Sequence, residues 1–404
     1  MHGGQLALAA RMIRLPLPAR ARSRSLAPAS IALMLIAAIS GCSSRPRVDE
    51  TPRPVTASPL QLRVATGDEL ETARGAGRAV ALELRLARRD EAAATGEVNA
   101  GPYTVTYLIT PATGYYEADP GVAAALTWHD VSAPGESHLG VVVRDTASGR
   151  LVEGIAVRAT IRPRRGSSIA RDLPLGWHPV LNRYGENVRL PSGAFSLRIT
   201  IDTTPAASRQ DDGARDISAT FSNVTLRAGA IERAAQRVAT GDGIEGRELA
   251  QEEGVWERRA IDGLLTGGIA HGVRQRVSDY DVTIVVERPF DPIAQDSAQD
   301  AYLAVIVQDT ASGREIPALN VRAQMLDGDG HVVSARDLAY VRHPWLSHHG
   351  TWWRVPRDGD YVFRVHVDPP SVRRYGRVTG LQFRNAINID LPAIHLTARH
   401  TAGR

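Results

Sequence analysis

The chain reads as an all-β protein whose architecture occurs twice. Two observations predict this. "GVVVRDTASGRLVEGIAVRAT" (Gly140 to Thr160) matches "AVIVQDTASGREIPALNVRAQ" (Ala304 to Gln324), with Asp-Thr-Ala-Ser-Gly-Arg identical, and such self-similarity marks a repeated structural unit. Within each copy, apolar and polar residues alternate. "AFSLRITID" sets Phe195, Leu197, Ile199 and Ile201 against Ser196, Arg198 and Thr200; "DYVFRVHVD" sets Tyr361, Phe363, Val365 and Val367 against Val362, Arg364 and His366. A period of two with one apolar face is a strand packed on a core.

Further matches fix the repeat. Arg171-Asp172-Leu173 answers Arg336-Asp337-Leu338, and His178-Pro179 answers His343-Pro344, 165 positions on. "RVATGD" occurs at Arg63 and Arg237, and Phe221-Ser222-Asn223 echoes Phe383-Arg384-Asn385. The copies are expected over residues 62–235 and 236–404. Turn formers ("DTASGR", "LPSG", "VPRDG", "DGDG") separate the strands, and short strands parted by such turns indicate a sandwich or barrel. "DTASGR" itself reads as a hairpin turn, Asp opening it and Gly supplying positive φ. Helix is expected for only a turn or two near the junction, over 231–239 and 248–265, the second interrupted by Gly254 and Gly263.

Residues 1–41 read as a secretory signal. Five Arg precede the apolar run "SLAPASIALMLIAAISGC", which ends at the single cysteine, the order of parts a signal has. Met1 and Met12 are both candidate starts. Ile39-Ser40-Gly41-Cys42 resembles the lipobox of bacterial lipoproteins, which makes Cys42 the lipidated first residue of the exported chain and its attachment to the membrane. An uncleaved anchor would need about 20 apolar residues, and Ser30 to Ser40 falls short. Residues 42–61, Pro-rich and polar after the cysteine, are expected to form a tether. The expected location is the cell envelope, facing the periplasm or exterior; Ser43 favours the outer membrane where the host has one.

Removing five signal arginines from 48 basic residues leaves 43 against 44 acidic. That near balance gives no basic excess for nucleic acid. Every basic residue is Arg. With Cys42 lipidated, no disulfide and no thiol nucleophile remains. "GDGIEG" (Gly241 to Gly246) fits a dinucleotide fingerprint but lacks the strand–turn–helix unit that would aim it at a pyrophosphate. "LDGDGH" (Leu326 to His331) offers Asp327 and Asp329 without the further oxygens of a calcium loop, and a polar hairpin turn is expected. G-x-S-x-G, H-E-x-x-H and paired-Cys zinc patterns are absent, so no enzyme is expected.

The candidate ligands are histidines in two loops, "GWHPVLNRYGENVRLP" (Gly176 to Pro191) and "RHPWLSHHGTWWRVP" (Arg342 to Pro356). His343 and His348 lie five apart, with His349 adjacent. In a straight strand the first two point to opposite faces, so a shared ion requires the loop to fold back, as Pro344 and Gly350 permit. Imidazole suits Fe, Cu or Zn when three or four ligands gather. His178 and the pair His129 and Asp130 are weaker candidates; His366 reads as a surface residue.

These loops, with "SGAFSLRITID" and "RDGDYVFRVHVDPP" after them and the "DTASGR" hairpins before, resemble the bacterial and archaeal periplasmic iron-transport protein family over some 75 residues of each copy. The resemblance implies immunoglobulin-like β-sandwiches and export. It further implies a copper or ferrous ion held by His, Met and acidic side chains, and work beside an iron permease, commonly as a symmetric dimer. Arg183 stands where the family has a His; copy two keeps His348 there but has His349 for the Tyr and Trp352 for the Asn. The family's Met and its His-x-Glu strand are missing from both copies. A surviving Cu or Fe site is therefore expected in copy two, at His343 and His348, with copy one a scaffold. Two sandwiches in one chain are also expected to pack as the dimer does. The rival expectation is a structural or interaction module that has lost the metal and presents exposed Trp352 and Trp353 to an envelope partner.

Overall fold

A computed structural model describes residues 65–118, 125–131, 134–202, 216–240, 244–266, 270–287, 300–343 and 345–398. Cys42, the signal over 1–41 and the tether over 42–61 lie outside the described residues. Among the described residues no helix is long and apolar enough to cross a membrane.

Copy one opens with α1 (Gly67–Asp90), followed by β1 (Ala94–Ala100), β2 (Tyr103–Pro111), β3 (Tyr115–Ala118), β4 (Leu126–His129), β5 (Ser137–Asp145) and β6 (Ala156–Pro163). It continues through β7 (Ile169–Leu173), β8 (Leu175–Trp177), β9 (Arg183–Val188), β10 (Phe195–Asp202) and β11 (Ile217–Val224). Helix α2 (Ala230–Thr240) leads to α3 (Ile244–Thr266), which opens copy two. Its strands are β12 (Ala270–Val277), β13 (Tyr280–Glu287), β14 (Ala301–Asp309), β15 (Val321–Leu326) and β16 (Val332–Val341). The last are β17 (His348–Trp353), β18 (Gly359–Val367), β19 (Arg373–Tyr375), β20 (Ile387–Asp390) and β21 (Ile394–Leu396).

The all-β sandwich expectation holds. The alternating strands put Phe195, Leu197, Ile199 and Ile201 into one core and Tyr361, Phe363, Val365 and Val367 into the other, all buried. In copy one, the four-stranded sheet β11-β10-β6-β7 faces an eight-stranded sheet ordered β1-β2-β5-β9-β8-β19-β3-β4. In copy two one path, β12-β13-β14-β17-β16-β15-β18-β20, passes from layer to layer through β16. A single residue explains the difference. Pro174, lacking an N–H, separates β7 from β8. Its counterpart Ala339 pairs with Gly350 and lets β16 run on for 10 residues.

The second half also supplies a strand to the first half's sheet. β19 runs parallel to β8 and antiparallel to β3. In return Trp177 of copy one sits in copy two's core, edge-on to Phe383 at 5.5 Å. The repeat alone does not foresee this exchange.

The helices exceed expectation. Thr66 caps α1 through a reciprocal box: Glu69 N–H donates to Thr66 Oγ1 at 3.3 Å, and Thr66 N–H to Glu69 Oε2 at 2.8 Å. Rather than a turn or two, α3 runs for 23 residues, antiparallel to α1. Gly254 does not interrupt it but brings it close to its neighbours: a Cβ there would fall on the Ser312 carbonyl, as one on Gly77 of α1 would fall on that of Ser148. Each helix thus rests on its own copy's "DTASGR" turn. The pair covers outer faces of both sandwiches: Val80, Leu84 and Ala87 pack with Leu108 and Val142, and Ala260 and Ile261 with Val285, Tyr302 and Ile306. That cover is why β13 and β14 are buried on both faces.

The "DTASGR" turns are hairpin turns, as expected. Asp145 Oδ1 accepts from the backbone N–H of Ser148 at 2.7 Å and from its hydroxyl at 2.8 Å, and Asp309 Oδ2 holds Ser312 likewise. Gly149 (φ 77°) and Gly313 (φ 78°) take the left-handed bend. The closing arginines, Arg150 and Arg314, reach away from the turns to the centre of the molecule.

Candidate functional site

Copy two's loop turns inward. His348 and His349 open β17, so as strand neighbours they point to opposite faces. His348 is fully buried, with Nε2 3.1 Å from the Tyr302 hydroxyl and Nδ1 3.3 Å from the Leu346 carbonyl. Burial, then the charges of His343 and His349, push its pKa down to about 4, leaving a neutral imidazole at pH 7. His343 is also buried, lies near enough to His348 for their charges to interact, and meets Trp345 edge-on at 4.8 Å. His349, on the other face, packs on Tyr340 at 5.2 Å, and its ring hydrogen-bonds the Leu338 backbone; burial lowers its pKa to about 4.

Copy one fills the same place differently. Arg183, the counterpart of His348, is buried and donates to Glu91 Oε2 at 2.8 Å. His178 closes its loop: Nδ1 accepts from the N–H of Val180 (3.2 Å) and Leu181 (3.4 Å), while the His178 backbone N–H donates to Asn182 Oδ1 (3.0 Å). Its pKa falls to about 4, first by burial and then by Arg183. His129 is half-exposed on β4, 3.4 Å from Glu117 and stacked on Tyr115. It joins neither loop.

Sequence reasoning missed His138, Glu91 and Tyr375. His138, the counterpart of Tyr302, lies 3.2 Å from Asn187 Oδ1, and burial and Arg183 lower its pKa to about 3. Tyr375 of β19 meets His138 edge-on at 5.3 Å and lies 6.0 Å from the Arg183 guanidinium. The glycine shared by the two loops now has a reason: a Cβ on Gly185 would strike His138, and one on Gly350 would strike Tyr302. The paired ring required the glycine, which was readable; its partner lay 47 positions upstream and was not.

His343, His348 and His349 do not gather as three ligands. Among the described residues, the group of three His or carboxylate side chains whose ligand atoms lie within 4.8 Å of one another is Asp327, Asp329 and His331. These belong to the β15–β16 turn, a polar hairpin as expected, in which Asp327 Oδ1 accepts the N–H of Asp329 (3.1 Å) and His331 (2.9 Å).

Between the copies lies a cavity of about 20 Å³, room for one water. Its walls include Glu153, Glu253, Glu257 and Glu315 beside Arg150 and Arg314. Arg314 donates to the carbonyls of His178 (2.7 Å) and Val180 (2.9 Å), tying copy two's turn to copy one's loop, while Arg150 reaches Glu257 Oε1 at 3.2 Å. Carboxyls outnumber guanidiniums, so burial raises Glu153 to about 7 and Glu253 and Glu315 to about 8; Glu83 rises too.

These shifts set a stability profile. The raised carboxyls bind protons in the folded state that the unfolded chain releases near pH 4.5, so their contribution is full below that pH and is lost as pH climbs through 7–8. The depressed histidines act oppositely: their contribution is full above 6.5 and lost as pH falls through about 4. Thermal unfolding should therefore peak at mildly acidic pH and decline by pH 8. Glu253→Gln should flatten the alkaline limb, and an unchanged limb in that variant would contradict the assignment.

No known protein-family model matches the chain, and no curated protein does. Solved structures resemble it over about a third of its length. FetP of uropathogenic Escherichia coli strain F11 is 14% identical over 32% of this chain and 97% of its own, with a TM-score of 0.26. The copper-reconstituted P19 protein of Campylobacter jejuni is 11% identical over 32% and 98%, at 0.25. A DUF4426 family protein of Pseudomonas aeruginosa is 14% identical over 32% and 99%, at 0.24.

Proposed function

We propose that this chain is an exported, non-enzymatic envelope protein, tethered through lipidated Cys42, that serves as an accessory in iron or copper handling. It binds one Cu or Fe ion weakly in copy two, through His343 and His348, and works beside an iron permease or another envelope protein. Copy one is a scaffold. The reading is carried by the contrast between the equivalent pockets. In copy two two neighbouring histidines remain, one of them held neutral, the form that ligates metal. In copy one, where His138 and His178 are also held neutral, the Arg183–Glu91 pair occupies the place of His348, and a guanidinium has no lone pair to offer. Weakness follows from geometry, because an ion must displace the Tyr302 hydroxyl from His348 Nε2.

The interaction-module rival loses its main support. Trp352 and Trp353, expected to be exposed, are 6% and 0% exposed: the first lies under the helices, the second in the core of copy two. Calorimetric titration with Cu(II), and anaerobically with Fe(II), tests the proposal. One binding event is expected, with nitrogen couplings in the paramagnetic resonance of the Cu(II) form that vanish in His348→Ala and weaken in His343→Ala. A flat titration of a chain shown folded by circular dichroism refutes metal binding.

A further inference from the structure

Several exposed arginines on the two sandwiches are matched by carboxylates: Arg158 with Asp172 at 2.7 Å, Arg364 with Asp390 at 2.8 Å, Arg322 with Asp368 at 3.1 Å. Four others are not, and they converge. A cleft of about 850 Å³ between the β6–β7 turn and the β9–β10 loop of copy one is lined by Arg164, Arg165, Arg171 and Arg189. Arg164 reaches Asn223 Oδ1 at 3.4 Å, Arg171 its neighbour's Ala170 carbonyl at 2.8 Å, and Arg189 the Pro134 carbonyl at 3.1 Å. Among the described residues none of the four forms an ion pair. One carboxylate, Glu136, lines the cleft with them, and Ile169, Val188 and Leu190 give it an apolar side.

The fold does not require this charge. The matching turn of copy two reads "LDGDGH" where copy one reads "RPRRGS", acidic against basic. Both turns use a left-handed glycine, Gly166 (φ 100°) and Gly330 (φ 82°), and that is what the bend needs. Arg164 and Arg165 are therefore peculiar to copy one; with Arg171 and Arg189, which recur as Arg336 and Arg354 in copy two, they gather around a space within the range of small-ligand sites.

We propose that this cleft binds an oxyanion headgroup, a phosphate gripped by the guanidiniums, carried on an apolar stem that lies against Ile169, Val188 and Leu190. Guanidinium forks match phosphate oxygens in pairs, with a geometry an ammonium lacks. Two sources share that chemistry, an anionic phospholipid and a free phosphate ester. The inference is independent of the metal reading and stands or falls without it.

The test uses the purified chain exported in its Cys42→Ser form, so that no attached lipid competes. Calorimetry with dihexanoyl phosphatidylglycerol, inorganic phosphate and dihexanoyl phosphatidylcholine separates the sources. Phosphatidylglycerol should bind, the zwitterionic lipid with the same tails should not, and high salt should weaken the complex. The exposed substitutions Arg165→Gln and Arg189→Gln together should cost about tenfold or more in affinity. Binding of inorganic phosphate as tight as the lipid's, with the same arginine dependence, supports the oxyanion site and makes a soluble ester its source. Absence of binding to both anions, equal binding of phosphatidylcholine, or an unaffected double variant overturns the proposal.

Discussion

Arg314→Ala is expected to destabilise the chain by about 3–5 kcal/mol, the range for breaking a buried charged network by removing one partner. Arg314 is 3% exposed and holds two carbonyls of the other copy's loop, with Glu253 3.7 Å away. Its removal orphans those carbonyls and strips the countercharge from Glu83 and Glu253, which must then protonate further or draw in water. Arg314→Lys should recover only part of the loss, since one ammonium cannot span both carbonyls. Arg158→Ala is the contrast, because its pair with Asp172 lies in solvent, and urea unfolding should find that midpoint unmoved. A loss below about 1 kcal/mol for Arg314→Ala would mean that the copies are not joined through this residue.

How much of this was legible depends on which physical signal each element carries. The strands were readable because a half-buried strand must alternate, and β10 and β18 do so without a break. The continuous apolar runs at β5 and β14 carried a second message, burial on both faces, whose cause was the helix layer. That layer hid behind its own glycines. Gly75, Gly77 and Gly254 resemble helix breakers, yet they are where α1 and α3 approach Trp256 and the two turns. The cues were nevertheless present: Thr66 and Glu69 spell a capping box, and Ala73, Ala76, Val80, Leu84 and Ala87 recur at helical spacing. Alanine simply makes a faint stripe.

The site was legible only in part, for a different reason. Loop histidines announce themselves in a sequence, whereas their partners are set by pairing across sheets. His348 meets Tyr302, Arg183 meets Glu91, and Tyr375 arrives at His138 on a three-residue strand from the other copy. No local pattern encodes such long-range meetings. The arginines closing the "DTASGR" turns show the same limit: the turn was read from its own six residues, but the destination of its last side chain was not.

The glycines of α3 offer a test with two signs. Gly263 is exposed in the helix with nothing near its missing Cβ. Gly263→Ala should stabilise the chain by about 0.5–1 kcal/mol, because alanine has less backbone freedom to lose and the better helix propensity. Gly254→Ala gains the same propensity but sets a methyl group against the Ser312 carbonyl and the Gly313 backbone. Backbone cannot swing aside as a side chain can, so helix and turn must part, and a net loss of about 1–3 kcal/mol is expected. The effect should spread beyond the helix. Parting α3 from its turn moves Arg314 away from the His178 and Val180 carbonyls, so Gly254→Ala and Arg314→Ala should combine to less than their sum. Urea unfolding of both single variants and the double measures that coupling. Strict additivity would mean that the helix layer and the polar centre stabilise the two copies separately.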